Sequence, residues 1–175
     1  MASIDDFKSN LIGGGARANQ YRVIMSTPPA IATGLDVNRA SFLVKATSLP
    51  GQTISEIEVQ FRGRQLYLAG DRTFETWTTT IINDTDFMVR NAMERWMNGI
   101  NAHSANTGLR NPVDYQADLI VEQLDKDETI LKTYNFVAAF PTAISAIDLA
   151  YDANDQIEEF TVEFTYQYWT SNTTS

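Results

Sequence analysis

The chain has 175 residues, 43% hydrophobic and 20% charged, which suits one folded domain of ordinary core size and argues against a disordered segment. Thirteen basic against 22 acidic side chains leave a net charge of −9, the wrong sign for a protein that grips nucleic acid through its phosphates. Cysteine is absent and His103 is the one histidine, so disulfides, zinc–thiolate centres and Cys nucleophiles are excluded, and Ser-His chemistry would have to be built around a single residue.

In chain order, residues 1–19 hold Gly13-Gly14-Gly15 and read as a flexible arm. Met1 to Phe7 is acidic and mixed rather than basic and then apolar, so no secretory signal is expected, and no run approaches the ~18 apolar residues of a membrane span. The expectation is a soluble protein folded in a cytoplasm. Residues 20–169 read as a single β-domain. Strands are expected at Tyr21–Met25, Phe42–Ala46, Ile54–Phe61, Gln65–Ala69, Phe74–Ile82, Tyr115–Leu124, Thr129–Ala138 and Ala143–Leu149, with hairpin tips at 125–128 and 152–155. One helix interrupts them. Asp84 is the expected N-cap, and Val89, Met93, Trp96, Met97 and Ile100 form one apolar stripe that packs on a sheet. An exposed loop follows from Asn101 to Pro112. The clearest strand is the last, where Phe160, Val162, Phe164, Tyr166 and Tyr168 alternate with Glu159, Thr161, Glu163, Thr165 and Gln167. Residues 170–175 are polar and read as a disordered tail. The fold class is mainly β, an antiparallel sandwich or barrel with one flanking helix.

Chemical motifs are sparse. The Gly13-Gly14-Gly15-Ala16-Arg17 run lacks the Gly-Lys-Ser/Thr of a phosphate loop, and no Gly-x-Ser-x-Gly elbow occurs. Glu158/Glu159 and Asp127/Glu128 have the composition of paired glycosidase carboxylates, but adjacent strand residues face opposite sides and turn acids are solvated. Asp152, Asn154 and Asp155 lack the glycine and distal glutamate of a calcium loop. No catalytic residue, cofactor or metal is therefore expected.

Charge is unevenly spread. Residues 1–110 carry 11 basic and 10 acidic side chains, whereas 111–175 carry 2 and 12. This asymmetry fits either a solvated acidic face or a surface that meets the basic half of another copy. Between Leu49 and Trp77, two alternating strands surround Arg62-Gly63-Arg64, a basic tip on an acidic protein.

Lys45-Ala46-Thr47-Ser48-Leu49-Pro50, Ala69-Gly70-Asp71-Arg72-Thr73-Phe74 with Trp77-Thr78, and Asn83-Asp84 opening a helix together resemble the tail tube proteins of contractile-tailed (myovirus-type) bacteriophages. The resemblance runs from about Tyr21 to Trp169. It implies a β-sandwich or barrel with a flanking helix, six copies of which form a ring whose inner strands close a continuous barrel. Stacked rings would make a hollow tube around the tape measure protein, inside a contractile sheath and between baseplate and tail terminator. The tube would conduct the phage genome without binding it, in the virion tail, after assembly in the host cytoplasm. Within that frame Arg62, Arg64, Asp71 and Arg72 are candidates for ring stacking, with Asp71–Arg72 pairing inside the subunit as the alternative. Glu159 and Glu163 are candidates to face the channel. Competing readings are the tube of a phage-like injection device (a pyocin or type VI secretion) and a monomeric β-sandwich carbohydrate-binding module or hydrolase.

Overall fold

The computed structural model describes residues 3–174; residues 1, 2 and 175, the outermost parts of the expected arm and tail, lie outside the described residues. Among the described residues nine strands, β1 (Tyr21–Met25), β2 (Val44–Thr47), β3 (Thr53–Phe61), β4 (Arg64–Thr73), β5 (Trp77–Ile82), β6 (Ala117–Leu124), β7 (Ile130–Ile144), β8 (Glu159–Thr165) and β9 (Tyr168–Ser171), make two packed sheets and a separate hairpin. All pairings are antiparallel. Sheet A runs β1-β6-β7-β9 and sheet B runs β7-β8-β5-β2, so β7 belongs to both. The expected mainly-β sandwich is what the chain forms.

β7 serves both sheets by bending. Its register against β6 breaks near Ala117, and Ala138 adopts the left-handed region at φ 55°. A non-glycine residue there costs roughly 1–2 kcal/mol. The Asp118 carboxylate accepts the Ala138 N–H at 2.9 Å and so satisfies a donor that the bend removes from the ladder. Beyond the bend, Pro141 pairs with Phe164 on β8 only, an edge position where its missing N–H costs no ladder bond.

The core lies between the sheets. The alternation of β8 appears as burial: Phe160, Val162 and Phe164 are buried while Glu159 and Glu163 are exposed. Trp77 of β5 stacks on Phe136 of sheet A at 4.7 Å between ring centroids and lies 5.5 Å from Phe164. Its indole N–H donates to the Ser48 carbonyl at 2.9 Å. Helix α3 (Met88–Ile100) closes the core with Val89, Ala92, Met93 and Trp96. Two short helices flank it: α2 (Val37–Leu43), capped by Asp36, and α4 (Pro112–Tyr115).

Several expected boundaries move. Phe42 and Leu43 belong to α2, not to a strand, because the Asp36 carboxylate caps Asn38 and Arg39 and starts a helix upstream. Asp84 does accept the first helical N–H, that of Met88 at 3.2 Å, although Phe87 occupies the N-cap itself. The run expected at 129–138 continues through Ile144 as one strand, β7, while most of the run expected at 143–149 falls in 145–158, a long loop rather than a tight hairpin. The expected last strand divides at Tyr166-Gln167, where the chain follows the bend of β7 from sheet B to sheet A. Thr170 and Ser171 complete β9, and Ser171 is buried, so part of the expected loose end is sheet. In the expected arm, Ile4–Asn10 forms helix α1, none of whose residues is buried.

Trp77 touches both sheets through its ring and anchors the chain leading to β3 through its N–H. Trp77→Ala is expected to lower the unfolding free energy by about 3–5 kcal/mol in a urea titration, as for a large aromatic deleted from a packed core.

Candidate functional site

β3 and β4 form a hairpin of 9 and 10 residues that stands apart from the body, every residue exposed except Gly70. Its turn is Arg62-Gly63, at φ 50° and 80°, flanked by the pair Phe61↔Arg64. Two positive φ values give the mirror-image turn whose twist matches that of the strands. Residues paired across the ladder share a face. Ile57, Val59 and Phe61 oppose Leu68, Leu66 and Arg64, making an apolar face that ends in a charge. Glu56, Glu58 and Gln60 oppose Ala69, Tyr67 and Gln65, making a polar face on which Gln65 donates to Glu58. Phe61 is 63% exposed and Ile57 and Leu66 are each 52% exposed. An isolated two-stranded hairpin is marginal in water, so this apolar face calls for a partner.

The register breaks near the root, between Ile54 and Glu56. There Ser55 donates its hydroxyl to the Asp71 carbonyl at 3.1 Å. A Cβ on Gly70 would lie 2.6 Å from the Ser55 Oγ and 2.9 Å from its backbone oxygen, so the bulge requires glycine. The four stacking candidates therefore separate into two pairs: Arg62 and Arg64 at the tip, Asp71 and Arg72 at the root. The Arg62 guanidinium lies over the Phe61 ring at 5.3 Å. Among the described residues none of the four forms an ion pair, and Asp71 is not joined to Arg72.

The second surface is the outer face of sheet B. Glu159 and Glu163 share it with Thr161, and opposite them on β5 stand Ile82, Thr80 and Thr78. Lys45 of β2 forms an ion pair with Glu159, while among the described residues Glu163 has no ion-pair partner. β2 pairs only with β5, and the last part of β7 only with β8, so both edges of this four-stranded sheet are open. The loop Asn101 to Pro112, with exposed His103, and the 145–158 loop border shallow hollows of about 440 and 740 Å³.

Glu158 and Glu159 both border the larger hollow, where Glu158 accepts the Asn83 side-chain N–H at 2.8 Å and Glu159 is paired with Lys45. The Thr129 side chain and backbone N–H hold the Asp127 carboxyl below the usual range, the opposite of a general acid. Among the described residues no group of three His, Asp or Glu side chains is placed to hold a metal ion. No helix of the described residues is long and apolar enough to cross a membrane.

Because the hairpin stands apart from the body, Gly70→Val is expected to distort the hairpin root yet leave the cooperative melt of the body within about 0.5 kcal/mol of the parent. The same substitution is expected to abolish any assembly that uses the hairpin, read by sedimentation.

Residues 16–172 match the sequence model of the family described as phage tail tube protein. The tail tube protein of Serratia phage KSP90 is 31% identical over 168 residues, 95% of each chain. Tail tube protein gp19 of Enterobacteria phage T4 is 35% identical over 132 residues, 74% of this chain and 80% of that one. Among solved structures, a chain of the anti-feeding prophage tube-terminating cap aligns at TM-score 0.65 and 17% identity, covering 90% of this chain and 91% of that one. A chain of the sheath–tube complex of an extracellular contractile injection system (PVC) aligns at TM-score 0.60 and 14% identity, covering 94% and 96%. The bent β7, the projecting hairpin and the open-edged sheet are thus the architecture of a chain that belongs to the phage tail tube protein family.

Proposed function

We propose that the protein is the repeating subunit of a hollow phage tail tube: six copies close a ring, rings stack, and the bore passes the genome. The observation that carries this is the amphipathic hairpin, whose apolar face one chain leaves uncovered. It is the feature of a subunit whose folding is completed by its neighbours. Ring closure joins β2 of one copy to the end of β7 in the next, which removes both open edges of sheet B and makes one continuous barrel.

The outer face of sheet B then lines the bore. At −9 per subunit a six-fold ring carries −54 in total. Duplex DNA carries about one charge per 1.7 Å, so acids on the lining repel it and keep it from sticking. Glu163 is the freer of the two acids, since Lys45 compensates Glu159. The tube surrounds the tape measure protein during assembly in the host cytoplasm, runs from baseplate to tail terminator in the virion, and is enclosed by a contractile sheath. The hairpin docks on the next ring, its tip arginines meeting acids of the neighbour. The fold alone also suits the tube of a phage-like injection device, but the relatives above 30% identity are phage proteins.

Electron microscopy tests the reading. Concentrated protein or the native particle is expected to give uniform hollow rods of regular axial repeat, and a chain located away from the tail shaft would refute it. The double variant Arg62→Glu/Arg64→Glu is expected to shorten the rods without altering the fold. Glu163→Lys is expected to slow genome ejection, measured by DNA release on receptor triggering; unchanged kinetics would remove Glu163 from the bore.

A further inference from the structure

Helix α1 (Ile4–Asn10) is built with care yet buries nothing. Ser3 accepts the Asp6 N–H at 3.1 Å, and the Asp6 carboxylate accepts the Ser3 N–H at 2.9 Å, a reciprocal capping box. Those hydrogen bonds hold the Asp6 carboxyl below the usual range. Ile4, Phe7 and Leu11 fall at i, i+3 and i+7, one stripe along the helix, and are 75%, 67% and 43% exposed. Seven residues are too few for a helix to persist alone in water, so a stripe of this kind needs a surface to lie on.

The arm is also hinged. Gly13, Gly14 and Gly15 have φ of 65°, 76° and 85°, and around the first two nothing lies within 4 Å of where a Cβ would be. The arm joins the body at the opposite end from the hairpin. Arg17 and Gln20 carbonyls accept from Gln123 at the end of β6, and the Tyr21 hydroxyl donates to the Val44 carbonyl at the start of β2. The hairpin leaves beyond Thr47, at the end of β2, where Trp169 Nε1 donates to the Gly51 carbonyl. In a head-to-tail stack the arm of one copy therefore meets the hairpin of another.

The two uncovered apolar faces are complementary in charge as well. The helix carries Asp5 and Asp6 in its first turn and Lys8 in its last, with Lys8 3.9 Å from Asp5, a net charge of −1, and the hairpin ends in Arg62 and Arg64. We infer that α1 of one subunit lies as a clasp on the apolar face of the β3–β4 hairpin of a second copy in the adjacent ring, with Ile4, Phe7 and Leu11 against Val59, Phe61 and Leu66. The acids of its first turn lie beside the arginine tip. This inference rests on the tube reading above. It concerns residues ahead of residue 16, where the family match begins.

The cysteine-free chain makes the test direct. Two single variants, Ile4→Cys and Leu66→Cys, are mixed, assembled into tubes and oxidised. A disulfide forms only between residues whose Cα atoms come within about 7 Å, so a dimer on a non-reducing gel reports contact between chains. The expected result is a dimer band in tubes but not in unassembled protein. The band should be lost when Tyr67→Cys, on the opposite face, replaces Leu66→Cys, or when Phe7→Asp is added to the Ile4→Cys chain. Tubes without the band overturn the clasp and leave the tube reading standing. A third chain that carries both Ile4→Cys and Leu66→Cys is oxidised in parallel, and a bond found only within that chain means that the arm folds on its own hairpin and overturns the clasp too. Failure of the unsubstituted protein to form tubes even on a nucleating tail baseplate removes the tube reading and the clasp with it.

Discussion

The constraint on which the rest of this structure depends is unburied apolar surface on a two-stranded sheet. Ile57, Val59, Phe61, Leu66 and Leu68 lie on one face of a hairpin that has no third strand and no helix against it. Fully burying a side chain of this size contributes about 1.5–3 kcal/mol, so five of them represent several kcal/mol that the isolated subunit does not collect. Association must exceed a cost of about 4–15 kcal/mol in lost rotational and translational freedom, which one hairpin alone does not cover. Assembly on this scheme needs the hairpin, the sheet edges and a nucleating surface together. A dilute subunit then stays free, and growth starts only where some contacts are already fixed.

What keeps such a face from indiscriminate aggregation can be read in the same residues. The turn at Arg62-Gly63 closes the hairpin tightly, so no loose loop offers an alternative register. The tip is cationic on a subunit whose net charge is −9, and copies therefore repel one another except where that tip meets an acidic surface. At the root, the bulge held by Ser55 and Gly70 twists the strands away from flat pairing.

Where sequence and structure agree, the signal was one-sided burial. Phe160, Val162 and Phe164 alternate with acids and threonines because one face of β8 meets the core and the other does not, and period two is then unmistakable. The stripe of α3 was legible for the same reason. β7 was not, because it changes sheet: its two halves bury different faces, and Pro141 sits where an edge strand tolerates it but a sequence reader sees a break. Helix α2 was hidden by Phe42, which is 88% exposed and so mimics a strand residue without serving a core. For the surfaces proposed to function, the Arg-Gly-Arg tip and the alternating acids could be picked out by charge and spacing. The ion pair of Lys45 with Glu159 joins residues 114 positions apart, and no local pattern announces such a contact. The hairpin's alternation was visible, but not that its apolar face lacks a cover, because exposure belongs to the fold as a whole.

The direction of growth follows from where β7 bends. By carrying the chain around a corner at Ala138, it sets the β5–β8 ends that hold the hairpin root at the bend and leaves the 145–158 loop at the far end of sheet B. That loop carries Asp148, Asp152, Asp155 and Glu158 and no basic residue, whereas the hairpin tip carries two arginines. A subunit with unlike ends cannot pair symmetrically with itself through them, since tip would face tip and acid would face acid. The axial contact of the proposed tube is therefore heterologous, and a heterologous contact that does not close on itself propagates as an open-ended column. A single bent strand thereby fixes the sandwich and gives each copy a distinct top and bottom.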